Sequence, residues 1–256
     1  MLTHLTEENI SAAERILNAR PELNVRVSAL LKAYGVNHNF FNLWLQGETT
    51  LLARLEESFF LYSYSNTDYD EIAFFLKFNP YFKRLIGKAD VVEAVAGLID
   101  LPIHRKKYDF LEFSGQNAEM KACKLDYESD LKPNLKHVYE IMKRAQFSIG
   151  DFVPWYADIS YRIRHGCARA FLIRVDEIPV TACLVSAESS YAGLLSGIAT
   201  LPEYRSRGLA SEIVMSACKA LSADKKRVVL ECEHTLTGFY RSLGFKKTNE
   251  VEELTV

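Results

Sequence analysis

The stretch that decides the fold is Leu194-Leu195-Ser196-Gly197-Ile198-Ala199-Thr200-Leu201-Pro202-Glu203-Tyr204-Arg205-Ser206-Arg207-Gly208-Leu209-Ala210. An apolar run ends at Pro-Glu-Tyr, two arginines flank a serine, and a glycine opens an apolar-periodic segment. The pattern reads as strand, tight turn and helix start. Leu209, Ile213, Ala217 and Leu221 then recur at helical spacing, the stripe a helix buries against a sheet. A helix start offers unpaired backbone N–H groups and the positive end of a dipole, which favour a bound phosphate. Consecutive N–H groups from Ser206 to Ala210 can converge on the closely spaced oxygens of a pyrophosphate. Gly208 lets the backbone approach without a Cβ, Ala210 stays small for the same reason, and Arg205 and Arg207 add charge-assisted bonds. Spacing alone decides little: Arg84-Leu85-Ile86-Gly87-Lys88-Ala89 repeats Arg-x-x-Gly-x-Ala in the first half, where nothing else supports a phosphate site. An ordinary helix start would explain either match.

Working outward, residues 227–233 read as a strand with Val228, Leu230 and Cys232 on one face and Val229, Glu231 and Glu233 on the other. Phe239-Tyr240-Arg241-Ser242-Leu243-Gly244-Phe245 follows as a helix with a phenol on its face, Gly244 as its left-handed end and Phe245 packing back. Upstream, residues 133–146 and 155–164 read as helices. Residues 168–175 and 180–187 read as strands joined by a hairpin at Asp176-Glu177-Ile178-Pro179, with a last strand at 247–256. The order is α-α-β-β-β-α-β-α-β, an α+β layer with one parallel crossover. In the first half, residues 1–46 read as helical, with helices at 8–19 and 25–34. A strand pair follows at 49–56 and 58–64, then a helix at 68–78 capped by Asp68 or Asp70, a strand at 81–86, a helix at 90–99 and a strand at 107–113. Arg105-Lys106-Lys107 reads as a solvated turn. The aromatic runs Phe40–Trp44 and Phe59–Tyr62 read either as core or as the lining of a cleft. Composition turns polar across residues 114–130, which places a boundary between units 1–120 and 125–256.

The chain has 256 residues, 48% hydrophobic and 12% aromatic, ample for packed cores. A net charge of −2, evenly shared, argues against a nucleic-acid partner. Cys123, Cys167, Cys183, Cys218 and Cys232 are widely spaced and mostly apolar in context, so free buried thiols in a reducing cytoplasm are expected. Glu7, Glu8 and Glu14 do not suit a signal peptide, and no apolar run approaches the roughly 20 residues of a membrane span. A cytoplasmic monomer or homodimer without membrane contact is the expectation.

The strand–Pro-x-Tyr-Arg-x-x-Gly-x-Ala turn together with Phe-Tyr-x-x-Leu-Gly-Phe resembles the GNAT superfamily of acyl-CoA-dependent N-acyltransferases over residues 131–256. The resemblance implies an α+β fold: a mixed, mostly antiparallel sheet with helices on both faces. A smaller α+β N-terminal domain precedes it, and the faint echo there resembles the degenerate partner of tandem or glycine-N-acyltransferase-like members. It implies transfer of an acetyl group from acetyl-CoA to a primary amine of a small molecule or peptide, by direct attack in a ternary complex and without a metal. Ile198, Ala199 and Thr200 would bind the pantetheine arm, with a backbone N–H near Ile198 polarising the thioester carbonyl. Arg205, Ser206, Arg207, Gly208, Leu209 and Ala210, with Ser211 at the helix start, would take the pyrophosphate. Tyr240 would protonate the departing thiolate, and Glu231 matches the position used as a base in some members. The sequence departs from the family in the short span from Glu231 to Tyr240 and in His234-Thr235, which stands where an asparagine often binds the cofactor arm. The base is thus left open between Glu231, His234 and water. A non-catalytic acyl-CoA-binding sensor is the alternative function.

Overall fold

The computed structural model describes residues 1–36, 38–116 and 123–256. The first half comprises strand β1 (Leu2–His4), helices α1 (Ile10–Ala19) and α2 (Val25–Tyr34), strands β2 (Phe41–Gln46), β3 (Thr50–Leu55) and β4 (Ser58–Ser63), helix α3 (Tyr69–Lys77), strand β5 (Arg84–Lys88), helix α4 (Ala89–Ala96) and strand β6 (His104–Phe113). The second half runs β7 (Glu128–Asp130), α5 (Leu135–Arg144), α6 (Phe152–Arg164), β8 (Arg169–Val175), β9 (Ile178–Glu188) and β10 (Ala192–Thr200). It continues through α7 (Leu209–Ala223), β11 (Arg227–Cys232), α8 (Thr237–Ser242) and β12 (Phe245–Thr255).

Local chemistry sets the ends of these elements. Asp68 caps α3 by accepting from the Glu71 N–H at 3.0 Å. Asp176 and Glu177 both take positive φ (49° and 65°), the two-residue hairpin whose twist suits the strands it joins.

Among the described residues the strands form one sheet in the order β1-β2-β3-β4-β5-β12-β6-β11-β10-β9-β8-β7. Its pairs are antiparallel except β4–β5 and β10–β11, whose crossovers carry α3 and α7. The last strand of the chain, β12, lies between β5 and β6, and β6 pairs with β11 on its other edge. The units 1–120 and 125–256 therefore share one sheet. Of the polar segment 114–130, residues 117–122 lie outside the described residues.

The fold is α+β, mostly antiparallel, with helices on both faces. Strand alternation explains this: Val228 and Leu230 pack in one core with α5, α7 and α8, while Val229 joins Phe110 and Leu194 against Val25, Ala29 and Ala33 of α2. Helix α2 of the first half thus covers the sheet of the second. On α7, Leu209, Ile213, Ala217 and Leu221 are all buried, and each large one contributes about 2 kcal/mol. The helix start is thereby held firmly against β9 and β10.

Two expectations are corrected. Residues 1–46 are not helical throughout: β1 and β2 are strands, and β2 pairs with β3 from Phe41–Leu55 to Gln46–Thr50. Phe41, Leu43 and Phe59 are fully buried, so these aromatic runs are largely core. Arg105, Lys106 and Lys107 are not a turn but the start of β6, opposite Leu254, Glu253 and Glu252 of β12. Their charges are met by Glu252, Glu233 and Glu250.

Candidate active site

Strand β10 parts from β11 before the decisive turn while staying paired with β9 through Thr200. Its parallel ladder with β11 runs from Ala192–Arg227 to Leu195–Leu230 and stops. On the other edge, the register with β9 slips between Ser196 and Ala199, a bulge at Gly197 and Ile198. Gly197 has φ +55°, a conformation that favours glycine, and a Cβ there would only displace the flexible tip of Met142, 2.7 Å away.

After β10, a single 3-10 turn (Pro202–Tyr204) leads to Ser206 at φ +61° and Gly208 at φ +94°. Left-handed residues in such a turn make successive N–H groups converge. The Ser211 and Glu212 N–H groups bond to Gly208 O at 3.0 and 3.2 Å. Among the described residues, the N–H groups of Ser206, Arg207, Gly208, Leu209 and Ala210 have no partner. Each arginine is tethered by one donor: Arg205 Nε to Thr200 O at 3.1 Å, and Arg207 Nη2 to Glu203 O at 3.1 Å. Arg207 also lies over the Tyr204 ring, 5.5 Å from its centroid. The remaining guanidinium donors stay available, since an arginine carries five.

These groups border a cavity with about 710 Å³ for the centres of water-sized molecules. Ile198, Ala199 and Thr200 line it from β10, Arg205–Ala210 and Ser211 from the turn and helix start, and Tyr240 with Phe239 from α8. Tyr240 is only 7% exposed, packed edge-on against Phe239 and Phe245. Among the described residues its hydroxyl makes no hydrogen bond. Burial, helped by the nearby Cys183 and Cys232 thiols, pushes the phenol well above its ordinary pKa, so it keeps its proton at neutral pH.

Glu231 lies elsewhere. It is the first β11 residue past the end of the β10 ladder, and it faces away from Leu230, Cys232 and Tyr240. Its Oε2 accepts from Arg26 Nη2 of α2 at 2.8 Å. It lines a second, narrow cavity on the opposite face with Arg26, Tyr62, Phe110 and Leu194, with about 40 Å³ for the centres of water-sized molecules. The structure thus gathers the turn, the β10 backbone and Tyr240, and leaves Glu231 across the sheet. His234 is 86% exposed, with Nδ1 3.0 Å from Asp109 Oδ2, and it lines neither cavity. Arg26 was missed by sequence reasoning, and so were Lys124 and Leu236 on the first cavity. Arg26 lies 205 positions from Glu231, beyond any local pattern.

Burial pushes Cys218 up to about 12 and raises Cys183, Cys167 and Cys232 as well, which disfavours the thiolate form at these four thiols. Among the described residues no cluster of His, Cys, Asp and Glu suits a metal ion, and no helix is long and apolar enough to cross a membrane.

Comparison with known proteins bears on the fold and on one segment of the chain. Residues 167–247 match the family model described as acetyltransferase (GNAT) domain. No curated protein sequence matches the chain. Among solved structures, a Drosophila protein superposes with TM-score 0.70 at 10% identity, covering 100% of this chain and 98% of its own. A GCN5-related N-acetyltransferase from Kribbella flavida gives 0.63 at 13%, covering 90% and 95%. A tandem GNAT protein from the clavulanic acid biosynthesis pathway gives 0.63 at 12%, covering 100% and 98%. At such identities these likenesses speak for the fold. The GNAT domain model thus matches residues 167–247, and over the whole chain the likeness to the tandem GNAT protein is one of fold.

Proposed function

We propose that the protein is an N-acetyltransferase that moves the acetyl group of acetyl-CoA to a primary amine by direct attack in a ternary complex. One observation carries this reading: five unpartnered N–H groups at a helix start, two arginines and a protonated phenol border a single cavity. The Ser206–Ala210 amides, with Arg205 and Arg207, would take the pyrophosphate in a positive field. Ile198, Ala199 and Thr200 would hold the pantetheine arm along the edge that β10 exposes on leaving β11. A backbone N–H at the Gly197–Ile198 bulge would donate to the carbonyl oxygen as it gains charge.

The leaving sulfur is a thiolate, whose ordinary pKa lies below that of a phenol. Tyr240 would therefore act as a hydrogen-bond donor to sulfur. Its raised pKa keeps the proton on the phenol. Its contribution is the hydrogen bond that stabilises the charge building on sulfur as the C–S bond breaks, while the proton lost by the attacking amine balances the thiolate. Glu231 is the proposed base. Arg26 orients its carboxylate at the mouth of the opening between β10 and β11, so the amine would arrive from the face opposite acetyl-CoA. Through Arg26 and Tyr62, the first half would shape the acceptor side, which gives that half a positional rather than chemical task. The buried free thiols suit a reducing compartment such as the cytoplasm.

Thiol release from acetyl-CoA across a panel of small amines and peptides tests the reading. Acceptor-dependent release is expected, and Tyr240→Phe should lower kcat about 100-fold. Binding of acetyl-CoA without acceptor-dependent release would favour an acyl-CoA sensor instead.

A further inference from the structure

Tyr240 rides on a very short helix. Helix α8 has six residues, too short to be stable alone, and no side chain caps its start. Beside the packing of Tyr240 on Phe245, a carboxylate from the other half of the chain ties it down. Asp109 of β6 is 3% exposed. Its Oδ2 accepts a hydrogen bond from Thr237 Oγ1, the first residue of α8, and lies 3.0 Å from His234 Nδ1 just before that helix. Its Oδ1 receives Lys247 Nζ of β12 at 2.5 Å. Burial works against the charge, but the bonds from Lys247, Thr237 and His234 outweigh it and hold the carboxyl at about 2. One buried anion thus ties together β6, the segment entering α8, and β12.

The helical repeat turns this anchor into an aim. Thr237 and Tyr240 are three positions apart, on one face of α8, and both are buried. Clamping the Thr237 hydroxyl therefore fixes the rotation of the helix about its axis, and with it the direction of the phenol.

We propose that Asp109 is a positioning residue for Tyr240: through Thr237 it sets the rotation of α8 and points the phenol into the cavity opened by Arg205–Ala210. This rests on the acyl-transfer role given to Tyr240 above.

The test is a cycle of variants with two readouts. Asp109→Asn and Thr237→Val should each lower kcat about tenfold, with the acetyl-CoA KM within twofold. Thr237→Ser, which keeps the hydroxyl, should restore kcat. In a Tyr240→Phe background, Asp109→Asn should cost nothing further, because its effect passes through the lost phenol. Independent losses that multiply, or a Thr237→Val enzyme with undiminished kcat, would overturn the proposal. The second readout needs no turnover. In NMR spectra of ring-labelled tyrosine, the Tyr240 signal should shift in Asp109→Asn and Thr237→Val and return in Thr237→Ser. An unmoved signal overturns the positioning role. A moved signal in a protein that releases no thiol with any amine would keep the positioning and remove the acetyltransferase reading.

Discussion

Arg84–Ala89 and Arg205–Ala210 share the spacing Arg-x-x-Gly-x-Ala and have opposite fates. In the first, Arg84–Lys88 is strand β5, paired with β4 on one edge and β12 on the other, so the sheet claims its backbone. Gly87 is needed because a Cβ would lie 2.8 Å from Leu61 O. In the second, the chain has already left its ladders. Gly208 is needed for a left-handed φ of +94°, and five N–H groups are left for a ligand. The same letters make a strand in one place and a loop of unpartnered N–H groups in the other. The difference lies upstream, in the 3-10 turn that Pro202 begins, which takes the backbone out of the sheet before the arginine arrives.

The comparison can be broken by substitution. The largest effect belongs to the arginines. Arg205→Ala with Arg207→Ala should weaken acetyl-CoA binding about 100-fold, since hydrogen bonds to charged groups are worth about 1.5–3 kcal/mol each. Arg84→Ala should leave binding within twofold, both read by calorimetry. Next come the glycines. Gly208→Ala should weaken binding about tenfold, from a left-handed penalty of about 1–2 kcal/mol. Gly87→Ala should instead cost about 1–3 kcal/mol in urea unfolding without changing acetyl-CoA affinity.

Smaller effects distinguish the two helix starts that follow strands β5 and β11. Asp109 has a folded pKa of about 2, below its unfolded value near 3.9, so its contribution is complete above about pH 4 and lost as pH falls through 2. Urea titrations across that window should lose about 2 kcal/mol in the wild type and much less in Asp109→Asn. At α4 the matching ion pair, Lys88 with Asp90, is solvent-exposed on both sides, and Asp90→Asn should change stability by about 0.5 kcal/mol or less.

Much of this was legible in the sequence because it is local. The α7 stripe, the Asp176-Glu177 hairpin and the Gly244 helix end depend on neighbours a few residues apart, and they stand where expected. Strand β2 was missed because Phe41–Gln46 carries its register in β3, not in itself. Alternation already set Glu231 opposite Leu230 and Cys232. It did not show that Tyr240 packs on the Leu230 side, nor that Arg26 meets the carboxylate on the other. Likewise, Asp109 meets Thr237 across 128 positions, through sheet pairings that only the folded chain creates. The loop into α7 is thus local, and the surroundings of Tyr240 and Glu231 are not.

The central claim, that the loop into α7 grips the diphosphate of acetyl-CoA, is tested most directly by titrating acetyl-CoA into the wild type and the Arg205→Ala/Arg207→Ala variant in a calorimeter. The account predicts saturable heat at one site per chain in the wild type and about 100-fold weaker binding in the variant. No heat in the wild type, or equal affinity in both proteins, would contradict it.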